Sequence, residues 1–134
     1  MRFIFDNCLS SRIAYAVGAL SGQDRDHICH LTDRFKADES DQTWIGELAK
    51  EENWVIISGD IRIIRSKHQR RALRELKAVV FCLSPSWMKF KLWDQAWRLI
   101  RRWPEIDQQA SLVQQGALFE IPVKPTARFR QLPD

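Results

Sequence analysis

The chain has 134 residues, 45% hydrophobic and 28% charged, with a formal net charge of +4. That length suits one compact domain with a sheet covered by helices; with no apolar run of about 18 residues and no leader pattern, a soluble, cytoplasmic protein is expected. Three widely spaced cysteines, Cys8, Cys29 and Cys82, with no Cys-x-x-Cys, argue against a disulfide framework and for reduced, buried thiols.

In chain order, Arg2-Phe3-Ile4-Phe5 reads as a strand and Asp6-Asn7 follows it directly. Ser10 or Ser11 is placed to cap a helix with Ile13, Ala16, Val17 and Leu20 on one side, and Gly22 lies past its end. His27-Ile28-Cys29-His30-Leu31 reads as a second strand. Its His27, Cys29 and His30 alternate between faces and no second ligand pair follows, so a zinc site is not expected. A polar connection carrying Asp33, Asp38 and Glu39 leads to Ser40 and Asp41, the cap of a helix with Trp44, Ile45, Leu48 and Ala49 at three- and four-residue spacing. Trp54-Val55-Ile56-Ile57, ended by Ser58-Gly59, reads as a buried strand, and Asp60 comes next.

After Asp60, Ile61, Ile63 and Ile64 lead into a basic helix whose apolar side is Ala72, Leu73 and Leu76, with His68 at its surface. Residues 78–83 form the clearest strand, and Ser86 is placed to cap a long helix carrying Phe90, Trp93, Trp97 and Ile100. Trp87 and Trp103 lie near the two ends of that helix. Their spacing predicts one buried stripe, so packing in the core or at an interface is expected over stacking on unpaired bases. Pro104 is expected to stop the helix; a shorter helical segment over 105–115 and an edge strand over 117–123, interrupted by Pro122, then follow. Residues 1–123 therefore read as one domain and 124–134 as an extended, loosely held tail.

Chemistry concentrates on the acids that follow strands. If the first and third strands are parallel, Asp6 and Asp60 reach one edge of the sheet, the edge where open α/β sheets bind ligands, and Asp41 joins them from its helix start. Three carboxylates crowded there repel one another unless a cation sits among them, and oxygen-only ligands suit Mg²⁺ or Mn²⁺. Residues 62–77 hold seven basic side chains against the single acid Glu75, a local +6 that leaves −2 for the rest of the chain. Such a strip, starting two residues after Asp60, suits a phosphate polyanion. Arg62, Arg65, Lys67, Arg70 and Arg71 are its candidate phosphate contacts, Arg62 and Arg65 foremost.

The order strand-Asp6, Ser40-Asp41-x-x-Trp44-Ile45-x-x-Leu48-Ala49, then apolar strand-Ser58-Gly59-Asp60 resembles the PIN-domain nucleases, most closely the short relatives of VapC-type toxins from bacterial toxin–antitoxin systems. The likeness continues through the basic helix, the strand ending at Leu83 and Arg101-Arg102-Trp103-Pro104. It implies a three-layer α/β/α sandwich with a mostly parallel central sheet, and a metal-dependent endoribonuclease acting on RNA phosphodiesters. By matched position Asp6, Asp41 and Asp60 are the implied catalytic metal ligands. Glu39 stands in for the additional acid that larger members carry on an inserted region. A protein antitoxin as partner and homodimerisation are implied as well. The alternative is a catalytically silent PIN-like module that binds nucleic acid or protein without cutting.

Overall fold

A computed structural model describes residues 1–51 and 53–133. Five strands alternate with helices: β1 (Arg2–Phe5), α1 (Ser11–Ser21), β2 (Ile28–His30), α2 (Asp41–Ala49), β3 (Trp54–Ser58), α3 (Arg62–Arg65), α4 (Lys67–Glu75), β4 (Val79–Leu83), α5 (Leu92–Leu112) and β5 (Leu118–Ile121), before a short β6 (Arg130–Gln131). The sheet order is β2-β1-β3-β4-β5-β6; the first five strands are parallel and β6 runs antiparallel to β5.

Strands buried on both faces explain the near-continuous apolar runs of β3 and β4, in which every residue is buried. Alternate side chains divide between two cores. Phe3, Phe5, Val55, Ile57, Phe81 and Phe119 face α1 and α5, while Ile4, Ile56, Val80 and Cys82 face α2, α3 and α4. The result is the expected α/β/α sandwich with a mostly parallel sheet. Trp103 of α5 anchors one side, its ring 4.7 Å from Phe3 and 5.6 Å from Phe5 between centroids. No helix among the described residues is long and apolar enough to cross a membrane.

The strand order determines where ligands can bind. From β1 the chain crosses to β2 on one side, then returns past β1 to β3, so helices leave the neighbouring strands β1 and β3 toward opposite faces. A crevice opens at the carboxyl ends of that pair, the topological switch point of an open α/β sheet. Asp6 and Asp60 follow those two ends.

Several expectations change. The basic helix is two helices, because Ser66 is extended (φ −96°, ψ 149°) and its hydroxyl accepts from the Gln69 amide to start α4. Pro104 does not stop α5: Leu99, Trp103, Ile106 and Ala110 stay buried at helical spacing on both sides of it, so packing holds the helix across the missing amide donor. Ser86 lies in a 3₁₀ turn, Pro85–Lys89, and Lys91 occupies the cap of α5. The buried stripe of α5 is Gln95, Leu99, Arg102, Trp103, Ile106 and Ala110; Trp93 is 84% exposed and Trp97 45%. The outermost strand is β6 rather than β5. Arg102, fully buried, holds the segment leading to it by donating to the carbonyls of Lys124, Pro125 and Ala127.

Candidate active site at the carboxyl edge of the sheet

Asp6 is placed by backbone before its side chain does anything. Its amide continues the ladder to the Ile57 carbonyl (2.9 Å), which registers the end of β1 against β3. The loop beyond it is pinned by His30, whose Nε2 donates to the Leu9 carbonyl (2.7 Å) while Nδ1 accepts from the Thr32 amide (3.2 Å). This makes His30 a buried strut. Asn7 Nδ2 donates to the Ala37 carbonyl (3.2 Å), drawing the connection before α2 toward the same edge.

Ser58 links two of the acids. It is wholly buried at the end of β3; its hydroxyl donates to Asp6 Oδ2 and accepts from the Asp60 amide at 3.0 Å. Asp6 Oδ1 in turn accepts from the amides of Cys8 (3.0 Å) and Gly59 (3.4 Å). Burial raises the Asp6 pKa above its ordinary value; the hydrogen bonds from Ser58, Gly59 and Cys8 oppose that rise, and the Asp60 charge adds to it. Gly59 leaves room for a close approach: a Cβ there would lie 3.0 Å from Met88 Cε and 3.3 Å from Cys8 Cβ, so the end of the Met88 side chain would have to shift.

Asp60 has the opposite electrostatics. Its carboxylate accepts from the Arg62 amide (3.0 Å) and from the Arg62 guanidinium at two points, and these hydrogen bonds, above all those from the guanidinium, hold its pKa below the ordinary carboxylate value. The Arg65 charge acts in the same direction.

Asp41 is the first residue of α2, behind the Ser40 cap, whose hydroxyl accepts from the Thr43 amide (3.2 Å). Its Oδ1 accepts from the Trp44 indole at 3.1 Å, and the buried Trp44 sets the side chain's direction. Asp41 and Asp60 line one groove of about 410 Å³ between α2 and α3–α4, with Arg62, His68 and Gln69 on its polar side and Ile45, Ile63 and Leu73 beneath.

The Cys8 thiol registers the whole arrangement. It is pushed up to about 11, first by burial, then by the charges of Asp6 and Asp60, with a smaller push from Asp41 and relief from Arg62. All three aspartates are therefore within electrostatic reach of one atom. They do not form a ready-made nest: among the described residues no three His, Cys, Asp or Glu side chains stand close enough together to hold a metal ion. Glu39 lies in the turn before the Ser40 cap, its amide on the Lys36 carbonyl (3.0 Å), and belongs to no such cluster. Oxygen donors at adjacent strand ends fit a hard divalent cation in chemistry. In geometry, Arg62 already occupies Asp60, and the buried Asp6 carboxyl has no salt bridge among the described residues.

The basic side chains divide. Arg62, Arg65, Lys67 and Arg71 are exposed. Arg70 instead donates to the carbonyls of Ile64 and Arg65 (both 3.0 Å) and of Pro133 (3.3 Å), which ties α3, α4 and the C-terminal segment together. Ser58 was not legible as a site residue, although a serine closing a β-branched buried run at a switch-point strand end is the signal for it.

A family model described as PIN like domain matches residues 1–85, which include Asp6, Asp41, Asp60 and the basic helices. No curated protein and no solved structure matches the chain.

Proposed function

The chain belongs to the PIN-like domain family, and from that membership we propose a metal-dependent endoribonuclease with Asp6, Asp41 and Asp60 as its acids. The observation that carries this is the Ser58 bridge, which couples the acids of two adjacent parallel strands at the switch-point crevice beside an exposed basic surface. Mg²⁺ or Mn²⁺ held there would supply a water of lowered pKa and offset charge on the leaving oxygen.

The chain's own residues do the rest. Ser58 keeps Asp6 aimed by donating to it, and Trp44 keeps Asp41 aimed in the same way. Arg65, Lys67 and Arg71 hold the RNA backbone with little reading of sequence, as phosphate contacts do. Arg62 exchanges its Asp60 partner for a substrate phosphate, a fork-shaped donor suiting either anion. In the narrower form of this proposal the protein is the cytoplasmic toxin of a toxin–antitoxin pair, with a protein antitoxin as partner and a homodimer as its working state. A neighbouring reading frame for a small DNA-binding protein would support that form.

A specific observation favours a second reading, the silent binding module: the Arg62 guanidinium fills the Asp60 carboxylate. The test is Mn²⁺-dependent cleavage of single-stranded RNA by the wild type and Asp41→Asn. Cleavage by the wild type with at least about a hundredfold loss in the variant is expected. Equal cleavage by both rules out this site, and binding without cleavage assigns the chain to the module.

A further inference from the structure

We propose that the first two turns of α5 form a stacking platform for unpaired RNA bases, with Trp93 and Trp97 as its ring faces. This rests on the nuclease reading above and gives its substrate a second contact surface. An 84% exposed tryptophan is anomalous in a folded domain, and Trp97, one helical turn on, shares its side of the helix. Because α5 leaves the carboxyl end of β4, its N-terminal end lies at the same edge of the sheet as the acids. Trp103 packs beside Phe5, the residue before Asp6, so at the rise of a helix Trp97 and Trp93 stand about 9 and 15 Å farther toward that edge. Met88 Cε lies 3.0 Å from where a Cβ on Gly59 would stand, which places the turn before α5 beside the strand end between Ser58 and Asp60.

The charge around these rings selects the occupant. Lys89, Lys91, Arg98 and Arg101 lie within the same stretch against the single acid Asp94. The Arg98 guanidinium sits 4.2 Å from the Phe90 ring centroid and 4.4 Å from that of Trp97, and forms no salt bridge among the described residues. Exposed rings interleaved with cations that form no salt bridge among the described residues suit a single strand, whose bases stack while its phosphates meet the cations. The acid edge would then be flanked by cations on α3–α4 and by rings on α5.

The test is binding of a labelled single-stranded RNA, followed by anisotropy in EDTA so that no cutting intervenes. Trp93→Ala and Trp97→Ala are each expected to weaken binding about tenfold with melting temperature unchanged, and Trp93→Phe to stay within about twofold of wild type. Duplex RNA of the same sequence should be indifferent to all three. Unchanged affinity in the alanine variants, or no binding by the wild type, overturns the proposal. If instead sedimentation shows that the alanine variants dissociate a dimer while RNA affinity holds, the face belongs to a second copy. Ring-dependent binding without Mn²⁺-dependent cleavage leaves this inference standing and removes the nuclease reading alone.

Discussion

Arg62 and Asp60 close on each other through two parallel hydrogen bonds, Nε to Oδ1 and Nη2 to Oδ2, each 2.9 Å. A carboxylate gripped in this way is a poor vacancy for a metal and a good switch, because its guanidinium partner is itself a phosphate ligand. Whatever attracts Arg62 away releases Asp60.

Arg62→Gln isolates that relationship. The variant should bind Mn²⁺ about two- to fivefold more tightly by calorimetry in the absence of RNA, the scale of an exposed ion pair. Its Asp60 should titrate nearer the ordinary carboxylate value by carboxyl-carbon NMR, and its affinity for RNA should fall. Weaker Mn²⁺ binding in the variant would show that Arg62 helps to build the cation site rather than blocking it.

Asp6 and Asp60 pull the pH dependence of stability in opposite directions. Asp60, with a folded pKa below 3.8, contributes stability that is present above 3.8 and is lost as pH falls through its folded value. Asp6, with a folded pKa above 3.8, favours the folded state fully below 3.8 and loses that contribution as pH rises through its folded value. Above its folded pKa the buried Asp6 is therefore a liability kept for another purpose. Asp6→Asn should raise the melting temperature by about 2–5 °C at pH 7 in EDTA, with the gain shrinking as pH falls through the folded pKa of Asp6 and gone below 3.8, while cleavage is lost. A lower melting temperature at pH 7 would refute the desolvation account of this carboxyl.

Arg102 closes the β5–β6 margin of the sheet. Its guanidinium is 4.5 Å from the Phe129 ring centroid, beside the three backbone carbonyls to which it donates. Arg102→Met keeps the bulk and strands those acceptors, at a cost of about 2–4 kcal/mol in urea unfolding. Hydrogen exchange should speed first at Leu132, whose amide bonds the Leu118 carbonyl (2.9 Å) at the β5–β6 margin. Uniform acceleration across the sheet would mean that Arg102 supports the whole core instead.

That margin is where sequence reading was weakest. β1, β3 and β4 are readable because strands covered on both faces must be apolar throughout, and the aspartates after β1 and β3 are readable because parallel pairing brings those two ends together. Arg130 and Gln131 have no such pattern; the chain is held beside β5 by distant residues, Arg102 of α5 before the strand and Arg70 of α4 after it. The same buried arginine misled the reading of α5, whose core stripe passes through polar Gln95 and charged Arg102 while the more apolar Trp93 and Trp97 face solvent. Ser58 looked like a strand terminator, and its role depends on a hydrogen bond across 52 positions of sequence, which no local pattern encodes.

Cys8 offers a readout of the acid edge that needs no catalysis. Its thiol, pushed up to about 11, holds about a hundredfold less thiolate at pH 8 than a cysteine at the reference value of 9.0, so iodoacetamide should modify it slowly although the residue is exposed. Burial is the first cause and remains in any charge variant, so Asp60→Asn and Asp6→Asn should each restore only part of the rate, a few-fold. A cation among the acids would act in the same direction by cancelling their charge. Added Mg²⁺ should therefore accelerate Cys8 alkylation in the wild type and do so less in Asp60→Asn, whereas Cys29 and Cys82, buried in the sheet, serve as unreactive internal controls. If Mg²⁺ leaves the Cys8 rate unchanged at concentrations that support RNA cleavage, the working ion is not at Asp6 and Asp60.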